Sequence, residues 1–369
     1  MAARTSGWIS MGVARVSHRA THLRTTVSLA RGSPGPLRPF GPPPPRIPLR
    51  RRGRHPPSGE EMPGGDSSNL PGVTRIARYA WFTLVFNVGV ILLGALVRAT
   101  GSGAGCGRSW PTCQGEVIPE LSGATAIEFM HRAASGSALV LVAILVVWVW
   151  RRVPSGEPAR TGAALSLIAI VVEALIGAMI VLAEWVAGDT SLARVVAVPL
   201  HLVNTLFLLA ALSLTAFWLS GGRRLSVRSH PAVWRWVVLG GLAIVLLAAT
   251  GAVTALADTL FPKSGAGGGD SGEAHFLTDL RIVHPVLAVV AASIGWWAAG
   301  RLEEPRSRAG KALPMLIGLM LISGALNVAL GVPVWMQLVH LLLADALWIA
   351  YVVASAQALQ VPVEVDQTV

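Results

Sequence analysis

Eight apolar stretches, each close to the length of a bilayer-spanning helix, limit what this chain can fold into. A helix needs roughly 20 apolar residues to cross a bilayer. An open strand in lipid would leave backbone groups unpaired, so helix is the expected conformation. Only 13% of the residues are charged, against roughly 25% in an ordinary soluble domain. The sequence therefore predicts an all-α integral membrane protein with eight spans: Tyr79–Val97, Phe129–Trp150, Thr161–Trp185, Val195–Leu219, Val233–Ala257, Ile282–Ala299, Ala312–Val332 and Trp335–Leu359.

The net charge of +11 originates in the first part of the chain. Eleven arginines lie between Arg4 and Arg54, where acidic residues are absent, and the other 19 basic residues balance the 19 acidic ones. This localisation argues against nucleic acid as a partner, so membrane lipid is the expected partner. Residues 1–72 are predicted to be disordered because of their Arg, Pro and Ser content. They also resemble a mitochondrial transit peptide, but we favour a third interpretation, in which Met62 is the true start and the preceding sequence is spurious.

Basic residues alternate between the loops that connect the spans. The positive-inside rule places the loops richer in Lys and Arg in the cytoplasm or matrix. Both termini are then expected on that side, and the long first and fifth loops on the outer side. The inner loops carry Arg151, Arg152 and Arg160, then Arg223, Arg224, Arg228 and Arg235, then Arg301, Arg306, Arg308 and Lys311; the outer loops carry Arg98 and Arg108, then Arg194, then Lys263 and Arg281.

The eight spans resemble an internal repeat of a four-helix unit. Gly94–Val97 in the first span is similar to Gly251–Thr254 in the fifth, and Leu175–Ala178 in the third is similar to Ile322–Ala325 in the seventh. Such parallel repeats are related by an axis along the membrane normal. We therefore expect two similar four-helix bundles, over residues 73–222 and 223–360, followed by a short tail at 361–369.

Four histidines lie inside spans: His131, His201, His284 and His340. They occupy the second, fourth, sixth and eighth spans, each near the outer end, and polar groups in lipid are costly and often functional. Two imidazoles facing each other in a four-helix bundle are typical axial ligands of haem iron. Zinc is less favoured because cysteines or carboxylates do not complete a ligand shell at each pair. Histidines that only support packing, another metal and a proton relay are the alternatives.

The two halves differ at one acidic position. Glu128 stands three residues before His131 and therefore shares its helix face, whereas Arg281 holds the equivalent position before His284. This difference predicts one reactive site and one site for electron transfer or structure. The alternative is that Glu128 only caps the N-terminus of its helix.

Cys106 and Cys113 are separated by six residues in the first outer loop, a spacing that permits a disulfide on the oxidising side of the membrane. The pair could be a structural staple or a redox-active group. Glu173 and Asp345 are further acids inside spans, for which the sequence specifies no role.

These motifs together resemble the haem A synthases. The resemblance is carried by Gly94–Gly103, by the loop with Cys106, Trp110-Pro111 and Cys113, and by Glu128–Arg132, and it extends from about Arg75 to Leu359. The cysteine pair is similar to bacterial members, whereas mitochondrial members differ in this loop. The resemblance therefore implies a bacterial cytoplasmic membrane, with the mitochondrial inner membrane as the alternative.

Haem A synthases oxidise the C8 methyl group of haem O to a formyl group, which gives haem A for terminal oxidases. The resemblance implies that His131 and His201 face the substrate haem O, and that His284 and His340 ligate the iron of haem b. Glu128 corresponds to the essential acid of the family. The implied partners are a haem O synthase and the terminal oxidase assembly that receives haem A, and formation of a homo-oligomer is left open.

Two other functions are compatible with parts of this pattern. A dihaem b-type cytochrome could pass electrons between quinone and a partner without catalysis, although Glu128 favours an enzyme. A quinone-linked thiol oxidase could use the cysteine pair but would leave the four histidines unexplained. A transporter is disfavoured, since the spans lack signals for broken helices and a polar cluster at the midplane.

Overall fold

A computed structural model describes residues 71–261, 277, 280–302 and 308–361 of the 369-residue chain. The described part contains eight helices that are long and apolar enough to cross a membrane, which confirms the predicted all-α membrane fold. The basic segment before residue 71, with its three interpretations and the candidate start at Met62, lies outside the described residues. So do residues 262–276 of the fifth loop and residues 362–369.

The helices are numbered α1 to α8 along the chain. A short 3-10 helix, Ser102–Ala104, follows the first of them. Their bounds are α1 Pro71–Ala99, α2 Gly123–Arg152, α3 Pro158–Leu182, α4 Leu192–Leu219, α5 Pro231–Leu260, α6 Val283–Leu302, α7 Arg308–Ala329 and α8 Val334–Ala358.

Most helices extend beyond the apolar stretches that predicted them, because polar residues and proline fit the first turn. Proline is favoured there, since its missing N–H is one that the helix leaves unpaired, and α3 and α5 begin at Pro158 and Pro231. The third span ends earlier than expected. It was expected to reach Trp185, but α3 ends at Leu182, and Glu184 takes a positive φ of 58° that ends the helix.

The order of helix packing agrees with the expected division into two halves. In the N-terminal group, α1 and α3 each contact both α2 and α4, so the four helices close a ring. In the C-terminal group, α5 contacts α6, α6 contacts α7 and α7 contacts α8, with a smaller contact between α5 and α8. Helices α1 and α4 of the first group face α5 and α8 of the second. The boundaries of the two domains stay a prediction.

Hydrogen bonds from side chains to main-chain carbonyls tie α8 to one helix of each group. On α8, Trp348 Nε1 donates to the carbonyl of Leu206 in α4 at 2.8 Å. Farther along α8, the hydroxyl of Tyr351 donates to the carbonyl of Val237 in α5 at 2.6 Å. Main-chain carbonyls within a helix can accept a second hydrogen bond, so these contacts fix α8 without breaking the helices that it touches.

Arg98, near the C-terminal end of α1, makes the most extensive link between the groups. Its Nη1 donates to the carbonyl of Ala255 at 2.6 Å and to the hydroxyl of Thr259 at 2.7 Å, both on α5. Its Nη2 donates to Gln337 Oε1 on α8 at 2.8 Å. One guanidinium therefore connects α1 to two helices of the C-terminal group, near the expected outer side of the membrane.

We expect Arg98→Met to lower the melting temperature of the purified protein in detergent by several degrees. Hydrogen bonds to a charged group contribute about 1.5–3 kcal/mol each, and this substitution removes three of them. Arg108→Met is the matched control. The Arg108 side chain is 71% exposed and lies 3.7 Å from Glu184, and exposed pairs of this kind contribute little. Equal melting temperatures for the two variants would contradict the proposed linking role of Arg98.

Candidate functional site

The structure arranges the four intramembrane histidines as two pairs, one in each helix group. His131 lies on α2 and His201 on α4, both in the N-terminal group. His284 lies on α6 and His340 on α8, both in the C-terminal group. All four rings are half-buried. His284 lies in the first turn of its helix, and the other three lie deeper in theirs.

Each histidine ring lies against a glycine on the preceding helix. A Cβ added to Gly94 would lie 2.9 Å from His131 Cε1, and one added to Gly251 would lie 2.9 Å from His284 Cε1. The corresponding distances are 3.3 Å from Gly324 to His340 and 3.7 Å from Gly177 to His201. Real Cβ atoms do not approach other carbon atoms as closely as 2.9 Å. At the two closest contacts, the missing side chain is what lets the ring lie against the helix backbone.

These glycines explain the sequence repeat. All four belong to the similar phrases that indicated two related halves, and each occupies an odd-numbered helix opposite a histidine on an even-numbered one. The sequence showed the repeated segments but not why they are similar. In each segment the glycine lies against the imidazole of a histidine on the next helix.

Polar groups contact three of the rings at Nδ1. The hydroxyl of Ser323 lies 2.8 Å from His340 Nδ1, and that of Thr250 lies 3.3 Å from His284 Nδ1. His201 Nδ1 lies 3.2 Å from the carboxylate oxygen Oε1 of Glu173, although its N–H is not aligned with that oxygen as in a full hydrogen bond. Contacts at Nδ1 orient the rings and leave Nε2 for a metal.

This donor set fits haem better than a protein-only metal cage. Within the described residues, a group of three or more His, Cys, Asp and Glu side chains that could hold a metal ion is absent. Each helix group instead offers two imidazoles, and two axial ligands are what a porphyrin iron requires. His131 and His201 would hold one haem, and His284 and His340 the other.

Glu128 is buried in α2, with only 3% of its surface exposed. Its Oε1 accepts a hydrogen bond from Arg132 Nη2 at 2.6 Å, and its Oε2 accepts one from the main-chain N–H of Cys106 at 2.8 Å. The residue lies beyond the first turn of α2, whose N-cap is Ser122. These contacts are not those of a helix cap. They instead fix a charged carboxylate one turn before His131.

The same contacts hold the first outer loop on α2. Cys106 and Cys113 form a disulfide, which confirms the predicted pair. Arg132 Nη1 donates to the carbonyl of Thr112 at 2.7 Å, and the hydroxyl of Thr125 donates to the carbonyl of Gly105 at 2.8 Å. The sequence did not predict that Arg132 would anchor the loop. Its spacing of four residues from Glu128, which favours ion pairs on a helix, was the available signal.

The C-terminal group carries a cation where the N-terminal group carries Glu128. Arg281 Nε lies 2.9 Å from Asp258 Oδ1 on α5, and Arg281 donates to the carbonyls of Ala257 and Phe261. The local charges around the two histidine pairs are therefore different, as expected from the sequence.

The two remaining intramembrane acids differ in their contacts. Glu173, for which the sequence gave no partner, lies beside His201 and accepts a hydrogen bond from Asn204 Nδ2 at 2.5 Å. Asp345 is only 1% exposed on α8, and its Oδ2 makes no hydrogen bond within the described part of the chain. Glu173 therefore joins the set of residues around the first histidine pair, and Asp345 does not.

Comparisons with known proteins match most of this chain to one protein family. The family model COX15-CtaA, described as cytochrome oxidase assembly protein, matches residues 77–352. A protoheme IX farnesyltransferase of Thermus thermophilus is 47% identical over 305 residues, which cover 79% of this chain and 49% of that protein. This chain thus spans about half the length of that relative.

Proteins named heme A synthase match shorter segments. One from Lysinibacillus sphaericus is 40% identical over 117 residues, or 31% of this chain and 38% of that protein. One from Bacillus mycoides is 49% identical over 90 residues, or 24% of this chain and 29% of that protein.

The glycine contacts predict which substitutions displace each ring. Gly94→Ala is expected to displace the ring of His131, so that the first helix group no longer binds haem. Gly251→Ala should displace His284 and abolish haem binding by the second group. Gly89→Ala is the control, because it lies on the same helix as Gly94 and an added Cβ would meet nothing within 4 Å. The haem content of each purified variant, measured per chain, checks this. Full haem content in Gly94→Ala would show that the ring is not held as described.

Proposed function

Since this chain belongs to the COX15-CtaA family of cytochrome oxidase assembly proteins, we propose that it is a haem A synthase. In this proposal it oxidises the C8 methyl group of haem O to a formyl group. The substrate haem O binds between His131 and His201, and haem b binds between His284 and His340. The whole reaction converts a methyl group and one water molecule into an aldehyde and releases electrons and protons.

One observation carries the proposal: the two histidine pairs are alike in their ligands and unlike in the charge beside them. A dihaem carrier needs two ligand pairs but does not need a carboxylate three residues before the histidine in one half and a cation at that position in the other. Glu128 stands by the first pair, and Arg281, paired with Asp258, stands by the second. This difference supports chemistry at the first site and electron transfer at the second.

Glu128 can contribute to the oxidation in two ways. Removal of electrons from the methyl carbon leaves positive charge, which a fixed carboxylate stabilises. The same carboxylate can take a proton from the water molecule that attacks this carbon. Arg132 and the N–H of Cys106 hold the carboxylate in one position, so it does not have to be reoriented when charge develops. Haem b, when bound in the second site, supplies a group that accepts and passes on electrons.

The Thermus relative supports the proposed source of the substrate. About half of that protein matches this chain, and the whole is named a protoheme IX farnesyltransferase. Addition of a farnesyl group to protohaem gives haem O, with its C8 methyl group still unoxidised. We therefore propose that a haem O synthase works beside this chain and that the terminal oxidase assembly receives the haem A.

The proposed location is a bacterial cytoplasmic membrane with both termini on the cytoplasmic side. The eight apolar helices support a multi-pass membrane protein, and the inner loops carry more arginine than the outer ones. The disulfide in the first outer loop fits the oxidising side of the membrane.

Co-expression with a haem O synthase tests the proposed function. Haems extracted from the membranes and separated by chromatography should contain haem A only when this chain is present. A dihaem electron carrier would instead yield protein with two haems b and no haem A. That outcome would replace the proposed function with the carrier function.

We expect Glu128→Gln to reduce haem A formation by about 100-fold or more, the usual contribution of a positioned acid–base group. The variant keeps the shape of the side chain and an oxygen that can accept the N–H of Cys106. Both haem sites should therefore remain occupied while haem O or a hydroxylated intermediate accumulates. Chromatography of the extracted haems measures both effects.

Arg132→Gln is the matched control, because it breaks the same ion pair but keeps the carboxylate and its hydrogen bond from the N–H of Cys106. It should retain clearly more activity than Glu128→Gln. Equal losses in the two variants would mean that the ion pair matters only for holding the loop, and normal haem A formation in Glu128→Gln would contradict the catalytic role.

A further inference from the structure

Glu173 is an acid inside a membrane span that the proposed chemistry leaves unused. It lies on α3, four residues before Gly177, so both residues face the same side of the helix. On that side Gly177 lies against the ring of His201, and Glu173 Oε1 lies 3.2 Å from Nδ1 of the same ring. One turn of α3 therefore packs against the imidazole and places a carboxylate oxygen near its Nδ1.

Two further side chains hold the Glu173 carboxylate in place. Asn204 Nδ2 donates to Oε2 at 2.5 Å, and the hydroxyl of Thr205 donates to Oε1. Both donors are on α4, one turn beyond His201. A carboxylate removed from water is costly unless it is hydrogen-bonded. The chain has thus placed two donors around an acid whose remaining neighbour is the ring of a proposed haem ligand.

The two rings of the second pair have neutral neighbours at the corresponding place. His340 contacts the hydroxyl of Ser323, and His284 contacts that of Thr250. In the first pair, Nδ1 of His131 makes no hydrogen bond within the described part of the chain. Alignment of the two halves on the glycine phrases and on His201 with His340 shows what replaces the acid and its donors. Glu173 corresponds to Met320, Asn204 to Leu343 and Thr205 to Ala344.

The repeat therefore retains the histidine but replaces the whole acidic cluster with apolar side chains. Loss of only the acid could be a chance substitution between two halves of weak similarity. Replacement of the acid together with both of its donors indicates that the three residues act as one unit. That unit serves a ligand of the first haem site only.

We propose that Glu173 is a positioning residue for His201: when haem is bound, its carboxylate accepts the Nδ1–H of the ring and lowers the reduction potential of the haem in the first site below that of the haem in the second. A carboxylate that accepts this hydrogen bond fixes the tautomer with Nε2 toward the iron and makes the imidazole a stronger electron donor. Hydrogen bonding at an axial ligand and nearby charge are among the means by which a protein sets a haem potential. The inference rests on the proposed binding of haem by His131 and His201.

This order of potentials agrees with the proposed division of labour. A negative charge near the first iron stabilises its ferric form, so electrons that arise at the first site are at a lower potential than electrons on the second haem. The neutral hydroxyl of Ser323 does not bias the second haem in this way. Transfer from the first haem to the second is then favourable, and the reverse is not.

Redox titration of the purified full-length chain tests the inference. The protein is produced with a haem O synthase so that both sites are loaded, and each ferric haem is followed by its low-spin electron paramagnetic resonance signal. In Glu173→Gln the ferric-over-ferrous preference of the first haem should fall at least tenfold, a rise of about 59 mV in its potential for a one-electron couple. The potential of the second haem should not change.

Two further variants separate charge from packing. Glu173→Asp keeps the charge but shortens the side chain, so the rise in potential should be smaller than in Glu173→Gln. Ser323→Ala, the matched change beside His340, should leave the first haem unaffected. An unchanged first potential in Glu173→Gln, or equal rises in the Gln and Asp variants, would overturn the inference.

The remaining outcomes are also decisive. If Glu173→Gln no longer binds the first haem, the potential is measured in Glu173→Asp instead. An unchanged potential of the first haem in that variant would contradict the inference. If the unaltered protein binds no haem through His131 and His201, the proposed function fails first. A first haem that is present but has the same potential in every Glu173 variant refutes only the role of Glu173.

Discussion

Contact between an imidazole and a glycine on the neighbouring helix occurs four times in this protein, and the candidate haem sites depend on it. A helix in lipid satisfies its own backbone groups, so the helices can come together wherever small residues allow close approach. At Gly94 and Gly251 the added Cβ would lie 2.9 Å from a ring carbon, and only the absence of a side chain leaves room for histidine. Gly94 and Gly251 therefore fix where His131 and His284 can lie.

The two helix groups repeat the histidines and glycines but not the acidic residues. Glu128 and Glu173 both belong to the N-terminal group of helices, and their counterparts in the second group are Arg281 and Met320. Two carboxylates with fixed partners thus surround the first histidine pair, one beside each histidine. We propose different tasks for them: Glu128 acts on the substrate, and Glu173 acts on a ligand. The second pair keeps its two histidines without a counterpart of either acid, which suits a haem that only receives and passes on electrons.

Length and hydropathy were sufficient to predict the eight helices, because a span must be both apolar and about 20 residues long. Helix ends were less predictable. Helix α3 ends at Leu182 and not at the expected Trp185, because Glu184 takes a positive φ although the surrounding sequence is apolar. The pairing of the histidines followed from the repeat. The contact of Glu173 with His201 did not, since helices that are apolar on most sides carry little information about their rotation. Asn204 was missed for the same reason, whereas Arg132 could have been found from its spacing of four residues from Glu128.

The most direct test of the account is an experimental structure of the chain loaded with haem in a lipid environment. We expect one haem to be held by His131 and His201, and a second haem by His284 and His340. Glu173 should then accept a hydrogen bond from Nδ1 of His201. A haem held by any other pair of residues, or one haem shared between the two helix groups, would contradict it.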